Sequence, residues 1–124
     1  MRIAIAVFLA LHGIAHTPGF LASWRLAVLQ GLPYHTTLFG GRLRVGDAGM
    51  RVVGVLWLVF AVAFVGVAIA TLLDRSWWLP AAAAVTLASL ALCAAEVPAA
   101  RIGLAVNVAL LVALGVASRT DLVR

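Results

Sequence analysis

Two histidines four residues apart, His12 and His16, sit in an otherwise apolar run near the start of the chain. On a helix that spacing puts both imidazoles on one face, about 6 Å apart along the axis. Gly19 and Ser23 continue the face. Imidazoles so placed can ligate a divalent metal, with Glu96 as a third ligand, or hold the iron of a haem. They can also pass protons, or hydrogen-bond to neighbouring helices. The pair lacks the glutamate of an H-E-x-x-H site, because Gly13 and Ile14 follow His12. Further along, Thr86, Ser89, Cys93 and Glu96 follow 3-4-3 spacing and make one polar stripe, and Asn107 stands alone in a last apolar run. Ser23 and Ser89 lack a nucleophile-elbow context, so no catalytic residue is assigned. Cys93 is the single cysteine. It reads as a small buried hydrophobe, and it excludes an intrachain disulfide or a cysteine-based zinc or iron–sulfur site within one chain.

The elements that must position these residues are read from composition and hydropathy. Of the 124 residues, 65% are hydrophobic and 10% charged; a soluble domain carries roughly 25% charged residues. Water is therefore not the main solvent, and the units to look for are spans of about 20 apolar residues. Four are predicted, over 3–23, 52–73, 79–95 and 101–118. Each is bounded by interfacial tryptophan or by charge: Trp24-Arg25, Arg51, Asp74-Arg75, Trp77-Trp78, Glu96-Val97-Pro98, Arg101, Arg119 and Asp121. Arg2 and the run Ile3–Leu11 resemble a signal peptide, but no A-x-A site follows and His12 and His16 interrupt its place, so a retained first helix is expected. The short link between the last two spans makes them antiparallel neighbours. The fold class expected is an all-α membrane bundle of four transmembrane helices, in a single domain.

The one long loop, 25–50, holds a predicted β-hairpin. His35–Phe39 and Arg42–Val45 are its strands, and Gly40-Gly41 form a two-residue primed turn where positive φ is required. An isolated hairpin is marginal in water, so it is expected to lie on the helix ends. For helix packing, Ala81, Ala84, Ala88, Ala91 and Ala95 form a small-residue seam on the third span, matched by Gly54, Ala61 and Ala68 on the second and Ala100 and Gly103 on the fourth.

The net charge is +5, carried by arginine with no lysine. The arginines are scattered at span ends, a pattern of headgroup contacts and topology signals, not of nucleic-acid binding. Arg2, Arg75, Arg119 and Arg124 fall on one side, and Arg25, Arg42, Arg44, Arg51 and Arg101 on the other. The α-amino group and Arg2 favour termini on the cytoplasmic side of the cell membrane.

Depth supplies the functional pointer. Counting 1.5 Å per residue, Asn107 lies about 10 Å below the Glu96 end of its span, and His16 lies at a similar depth below Ser23. His12, His16, Glu96 and Asn107 therefore share the half of the bilayer facing the long loop. A polar ligand-binding pocket is expected there, with Tyr34 and His35 at its mouth.

His12-Gly13-Ile14-Ala15-His16, and Arg51-Val52-Val53-Gly54 after a glycine-bearing loop, resemble the DoxX-like group of small four-helix bacterial membrane proteins. The resemblance covers the first half of the chain and the four-span layout. It implies a redox accessory or membrane-complex subunit, since some members are associated with quinone-linked oxidation of small sulfur compounds or with redox stress complexes; it supplies no catalytic residues.

Three functions are expected in order. The first is an accessory or ligand-binding membrane protein with an intramembrane pocket, redox- or quinone-linked, with a quinone or lipid as ligand and a second copy or a membrane complex as partner. The second is a small proton- or metal-coupled transporter using His12, His16 and Glu96. The third is a membrane enzyme.

Overall fold

The computed structural model describes residues 2–97 and 99–119. Pro98 of the expected turn, and Asp121 and Arg124 of the expected charge pattern, lie outside the described residues. Four helical segments are long and apolar enough to cross a membrane: Arg2–Ser23, Gly46–Leu72, Trp78–Ala95 and Arg101–Arg119. A two-stranded antiparallel sheet occupies the loop after the first.

The first segment is two helices, α1 (Arg2–Ile14) and α2 (Thr17–Ser23), where one was expected. Pro18 causes the break. It has no N–H, so the Ile14 carbonyl loses the donor four residues on. The Thr17 hydroxyl donates to that carbonyl instead, at 2.7 Å. The backbone tightens just before it, and His16 N–H donates to Gly13 O at 3.0 Å rather than to His12. The break thus frees the His12 carbonyl, which the site below uses.

α1 packs along α3 (Gly46–Leu72), which starts six residues earlier than expected and shortens the loop. The crossing is close because Gly13 has no side chain: a Cβ there would stand 2.8 Å from the Ala61 carbonyl oxygen and 2.9 Å from Phe64 Cβ. Gly54, Ala61 and Ala68 on α3 are all buried. α4 (Trp78–Ala95) packs against α3 and α5 (Arg101–Arg119), while α1 and α5 meet only sparsely.

The alanine seam expected on α4 is not its packing face. Ala84, Ala88 and Ala91 are exposed, while Ala82, Thr86, Ser89, Cys93 and Glu96 are buried. Both faces carry small side chains at 3-and-4 spacing. Only the second carries hydroxyls and a carboxyl, which need partners when taken out of water. The polar face therefore turns inward and the alanine face outward.

The strands of the hairpin are only two residues each, β1 (Thr37–Leu38) and β2 (Leu43–Arg44), with Leu38 opposite Leu43. The connection is thus the four residues 39–42, not a two-residue turn. Phe39, Gly40 and Gly41 all have positive φ, of 54°, 68° and 93°, a path the paired glycines follow without the steric cost borne by Phe39. The hairpin sits on the bundle end: Phe39 N–H donates to the Ala95 carbonyl at 2.7 Å, supplying a donor to one of the carbonyls left over where α4 stops.

Two apolar clusters fill the bundle. One, around Leu9, Phe64, Trp78, Ala82, Leu110 and Leu114, lies away from the loop. The other, around Met50, Val53, Trp57, Leu92 and Ala100, lies beneath it. Between them is a polar layer.

Candidate functional site

The polar layer is a closed circuit of hydrogen bonds. His12 Nε2–H donates to Asn107 Oδ1 at 2.9 Å. Asn107 Nδ2–H donates to Ser89 Oγ at 3.0 Å, with a second, weaker approach to Cys93 Sγ at 3.4 Å. The Ser89 hydroxyl donates to His16 Nε2 at 2.6 Å. His16 Nδ1–H donates to the His12 carbonyl at 2.7 Å. That last bond assigns the His16 tautomer, because the carbonyl can only accept; the other assignments follow from it in turn. The helix break enables the circuit, since in an unbroken helix the His12 carbonyl would already hold the His16 N–H.

Aromatic rings seat the imidazoles. His12 and His16 meet edge to face with centroids 4.8 Å apart, and Phe64 lies 4.8 Å from the first and 5.1 Å from the second. The Trp57 indole stands 5.3 Å from His16. Ser89 and Asn107 are fully enclosed, at 0% exposure.

Glu96 caps α4 above this layer and is buried at 6% exposure, yet its Oε1 has no hydrogen-bond partner. The indole N–H of Trp57 is also buried and unpartnered; it lies near enough to Glu96 to favour the charged carboxylate but outside hydrogen-bonding geometry. Burial is the dominant influence and pushes the Glu96 carboxyl above its usual range, with His35 opposing it. His35 Nε2 is 3.8 Å from Glu96 Oε1. Its Nδ1–H donates to the Pro33 carbonyl at 3.1 Å, so Nε2 can engage the carboxylate favourably only through a proton on one of the two.

Glu96 stands where three spaces meet. An outer bowl of about 780 Å³ opens under the loop, lined by Gln30, His35, Thr37, Glu96 and Arg101 among others. A gap of about 10 Å³, the room of one water, lies between Ser23, Tyr34, His35 and Glu96. An inner cavity of about 240 Å³ runs down between α1–α2 and α5, lined by His12, His16, Gly19, Trp57, Cys93 and Glu96. Gly19 lets α2 approach the Trp57 ring closely on one side of this space, since a Cβ there would stand 2.5 Å from the ring.

The loop is pinned over the mouth from two sides. The Tyr34 hydroxyl donates to the Asp47 carboxylate, which raises the tyrosine's affinity for its proton, and Arg25 stacks 4.7 Å above the same ring. Trp24 Nε1–H donates to the Arg51 carbonyl at 2.9 Å.

The structure thus brings His12, His16 and Asn107 into one network, with Glu96 over it and Tyr34 and His35 at the entrance. It does not gather His12, His16 and Glu96 as metal ligands. Among the described residues no three His, Cys, Asp or Glu side chains converge on one point. Both His16 nitrogens and His12 Nε2 are engaged in hydrogen bonds, so neither ring offers a free Nε2 to a metal or a haem iron. Arg101, which the sequence places near Glu96, lines the outer bowl without an ion pair among the described residues. Ser89 and His16 have the reach of a nucleophile and its base, but Ser89 is enclosed and does not line the inner cavity, and the Asn107 amide points at it rather than at a substrate oxygen.

Sequence reasoning left Ser89 and Trp57 out of the site. The signal for Ser89 was there: it lies two helical turns from Glu96 on the same polar stripe, at the depth of Asn107. Nothing in the sequence marks Trp57 apart from its lying opposite the histidines in depth. Comparison with protein-family models, with curated proteins and with solved structures returns no match.

Proposed function

We propose that this chain is a multi-pass integral membrane protein that binds a lipid-soluble small molecule, a quinone or a lipid, in the cavity beneath Glu96, as an accessory subunit rather than an enzyme. The observation that carries the reading is a pair of buried polar atoms without hydrogen-bond partners, Trp57 Nε1–H and Glu96 Oε1, on two residues that line this cavity. A buried polar atom without a partner costs about 1–3 kcal/mol, and a ligand with a hydrogen-bonding head removes that cost for both. The membrane assignment is supported by the four apolar helices and by an outer surface of large side chains such as Ile3, Leu11, Val52, Val62, Ile102 and Val112. We place both termini on the cytoplasmic side, on the strength of Arg2 and the α-amino group.

Binding is favoured over transport by where the space ends. Below His12 the bundle is closed by Leu9 and Phe64, both at 0% exposure. The polar path from the loop therefore stops at His12, and what lies beyond it between α1 and α5 is an apolar groove. The reading also accommodates the quinone-linked, DoxX-like expectation, which rests on its two short motifs alone.

The test is extraction. Protein purified in mild detergent is denatured in organic solvent and the released small molecules are identified by mass spectrometry, for wild type beside Glu96→Gln and Trp57→Phe. One amphipathic species near equimolar with the protein, depleted in both variants, is the expected result. Equal recovery from all three, or only the bulk lipid mixture, would overturn the reading.

A further inference from the structure

Two spaces lie one above the other along the seam between α1 and α5. The inner cavity fills the upper part of the seam, reaching Val106 on α5 and His12 on α1. Directly below, an apolar groove of about 340 Å³ lies between Ala4, Ile5 and Phe8 on one side and Ala109, Ala113 and Leu114 on the other. Their lining residues are one helical turn apart, Phe8 from His12 and Ala109 from Val106. The His12–Asn107 hydrogen bond is the only side-chain hydrogen bond that joins α1 to α5 among the described residues, and it crosses the seam. From Ile102 to Leu114 the two spaces together follow α5 for about 18 Å.

The two ends differ in chemistry. The lower groove is apolar and suits a hydrocarbon chain. Trp57 and Glu96, which line the upper cavity, are each more than nine-tenths buried and each holds a buried polar atom without a hydrogen-bond partner, an indole donor and a carboxyl oxygen. Apart from the two histidines, Glu96 is that cavity's only ionisable lining residue besides Cys93, and Arg101 reaches only the outer bowl. A carboxylate or phosphate head would find no arginine or lysine lining this cavity to offset its charge. A hydroxyl can do what both atoms need, accepting from Trp57 Nε1–H and donating to Glu96 Oε1.

We propose that the bound ligand is a single-chain amphiphile with an uncharged, hydroxyl-bearing head. The head lies between Trp57 and Glu96, and the chain runs down the α1–α5 seam past the His12–Asn107 bond into the groove at Ala113. The proposal rests on the functional reading above and adds the class of head, the number of chains and the path.

Photolabelling tests it. The protein in detergent is irradiated with a monopalmitoylglycerol carrying a diazirine near the chain end, and labelled peptides are mapped by mass spectrometry. Label is expected on residues 4–8 and 109–114. The palmitic acid carrying the same diazirine should label these segments about tenfold less, the effect of about 1.4 kcal/mol of lost affinity. Ala113→Phe, at an exposed position where a ring fills the groove without entering the core, should reduce labelling about fivefold or more, as overfilling a packed site does; Ala109→Phe serves as the independent second variant. Label spread evenly over the exposed faces of α3 and α4, or equal labelling by the acid, would overturn the proposal. If so, a species still depleted by Glu96→Gln in the extraction experiment would leave the functional reading standing. Loss of that dependence as well would remove both.

Discussion

The hydrogen-bond circuit makes a quantitative prediction about how substitutions combine. Asn107→Leu breaks two of its links, to His12 and to Ser89. Ser89→Ala also breaks two, to Asn107 and to His16. The Asn107–Ser89 link is common to both, so the double variant loses three links rather than four. Side-chain hydrogen bonds between helices in a bilayer are worth about 0.6 kcal/mol on average and about 1–2 kcal/mol in model peptides. At about 1 kcal/mol per link, each single change costs about 2 kcal/mol and the pair about 3, a coupling of about 1 kcal/mol. The weak Asn107–Cys93 approach is lost in the single and the double variant alike and cancels. The assay is reversible unfolding in mixed micelles, followed by far-UV circular dichroism as the denaturing detergent fraction rises. Thr86→Ala provides the control, because Thr86 donates at 2.6 Å to Ala82 in its own helix and takes no part in the circuit; its cost should add to that of Asn107→Leu. If the Asn107/Ser89 pair is also additive to within about 0.3 kcal/mol, the scatter expected of independent sites, the two side chains do not share a bond and the circuit is wrong.

Three further outcomes follow from the same geometry. Gly13→Ala should destabilise by about 1–3 kcal/mol, because its Cβ would collide with the Ala61 backbone, whereas Gly66→Ala, with nothing within 4 Å, should be neutral or stabilising by up to about 1 kcal/mol; the same unfolding assay separates them. Burial raises the Glu96 carboxyl pKa above the ordinary glutamate range. The neutral acid is thus the form the fold prefers, its stabilising contribution is complete below the ordinary value, and stability should fall as pH rises from there through the raised value. Glu96→Gln should flatten that slope, and a slope that persists unchanged would assign it to another group. The Arg2–Asp74 pair, at 3.1 Å but with side chains 40% and 63% exposed, should contribute less than about 1 kcal/mol, so Arg2→Ala should leave the unfolding midpoint nearly unmoved.

The sequence made the depth of the site legible and its wiring illegible. Residue counts from the span ends convert to depth at a fixed rise, so His12, His16 and Asn107 could be put in one half of the bilayer from the sequence. Rise says nothing about rotation, and the rotation of α4 is where the expectation failed. Its alanine face and its Thr86–Ser89–Cys93 face have the same spacing and similar bulk, so a packing argument from small residues cannot choose between them. The cost of leaving hydroxyls in hydrocarbon does choose, and it puts Ser89 between His16 and Asn107.

The break in the first span was legible in principle. Pro18 is visible, and so is the carbonyl it strands four residues back. What could not be read was the consequence two residues further on, where the tightened backbone releases the His12 carbonyl and His16 turns its own ring to take it. An H-x-x-x-H pair on an ideal helix presents both imidazoles outward with four nitrogens open to a ligand. The same pair across a proline-induced break folds one imidazole back onto the chain, which fixes its tautomer and commits its other nitrogen to accept from Ser89. The spacing that suggests a metal site therefore yields a structural lock in this chain, and the buried polar atoms left without partners nearby are on residues that the spacing did not point to, Trp57 and Glu96.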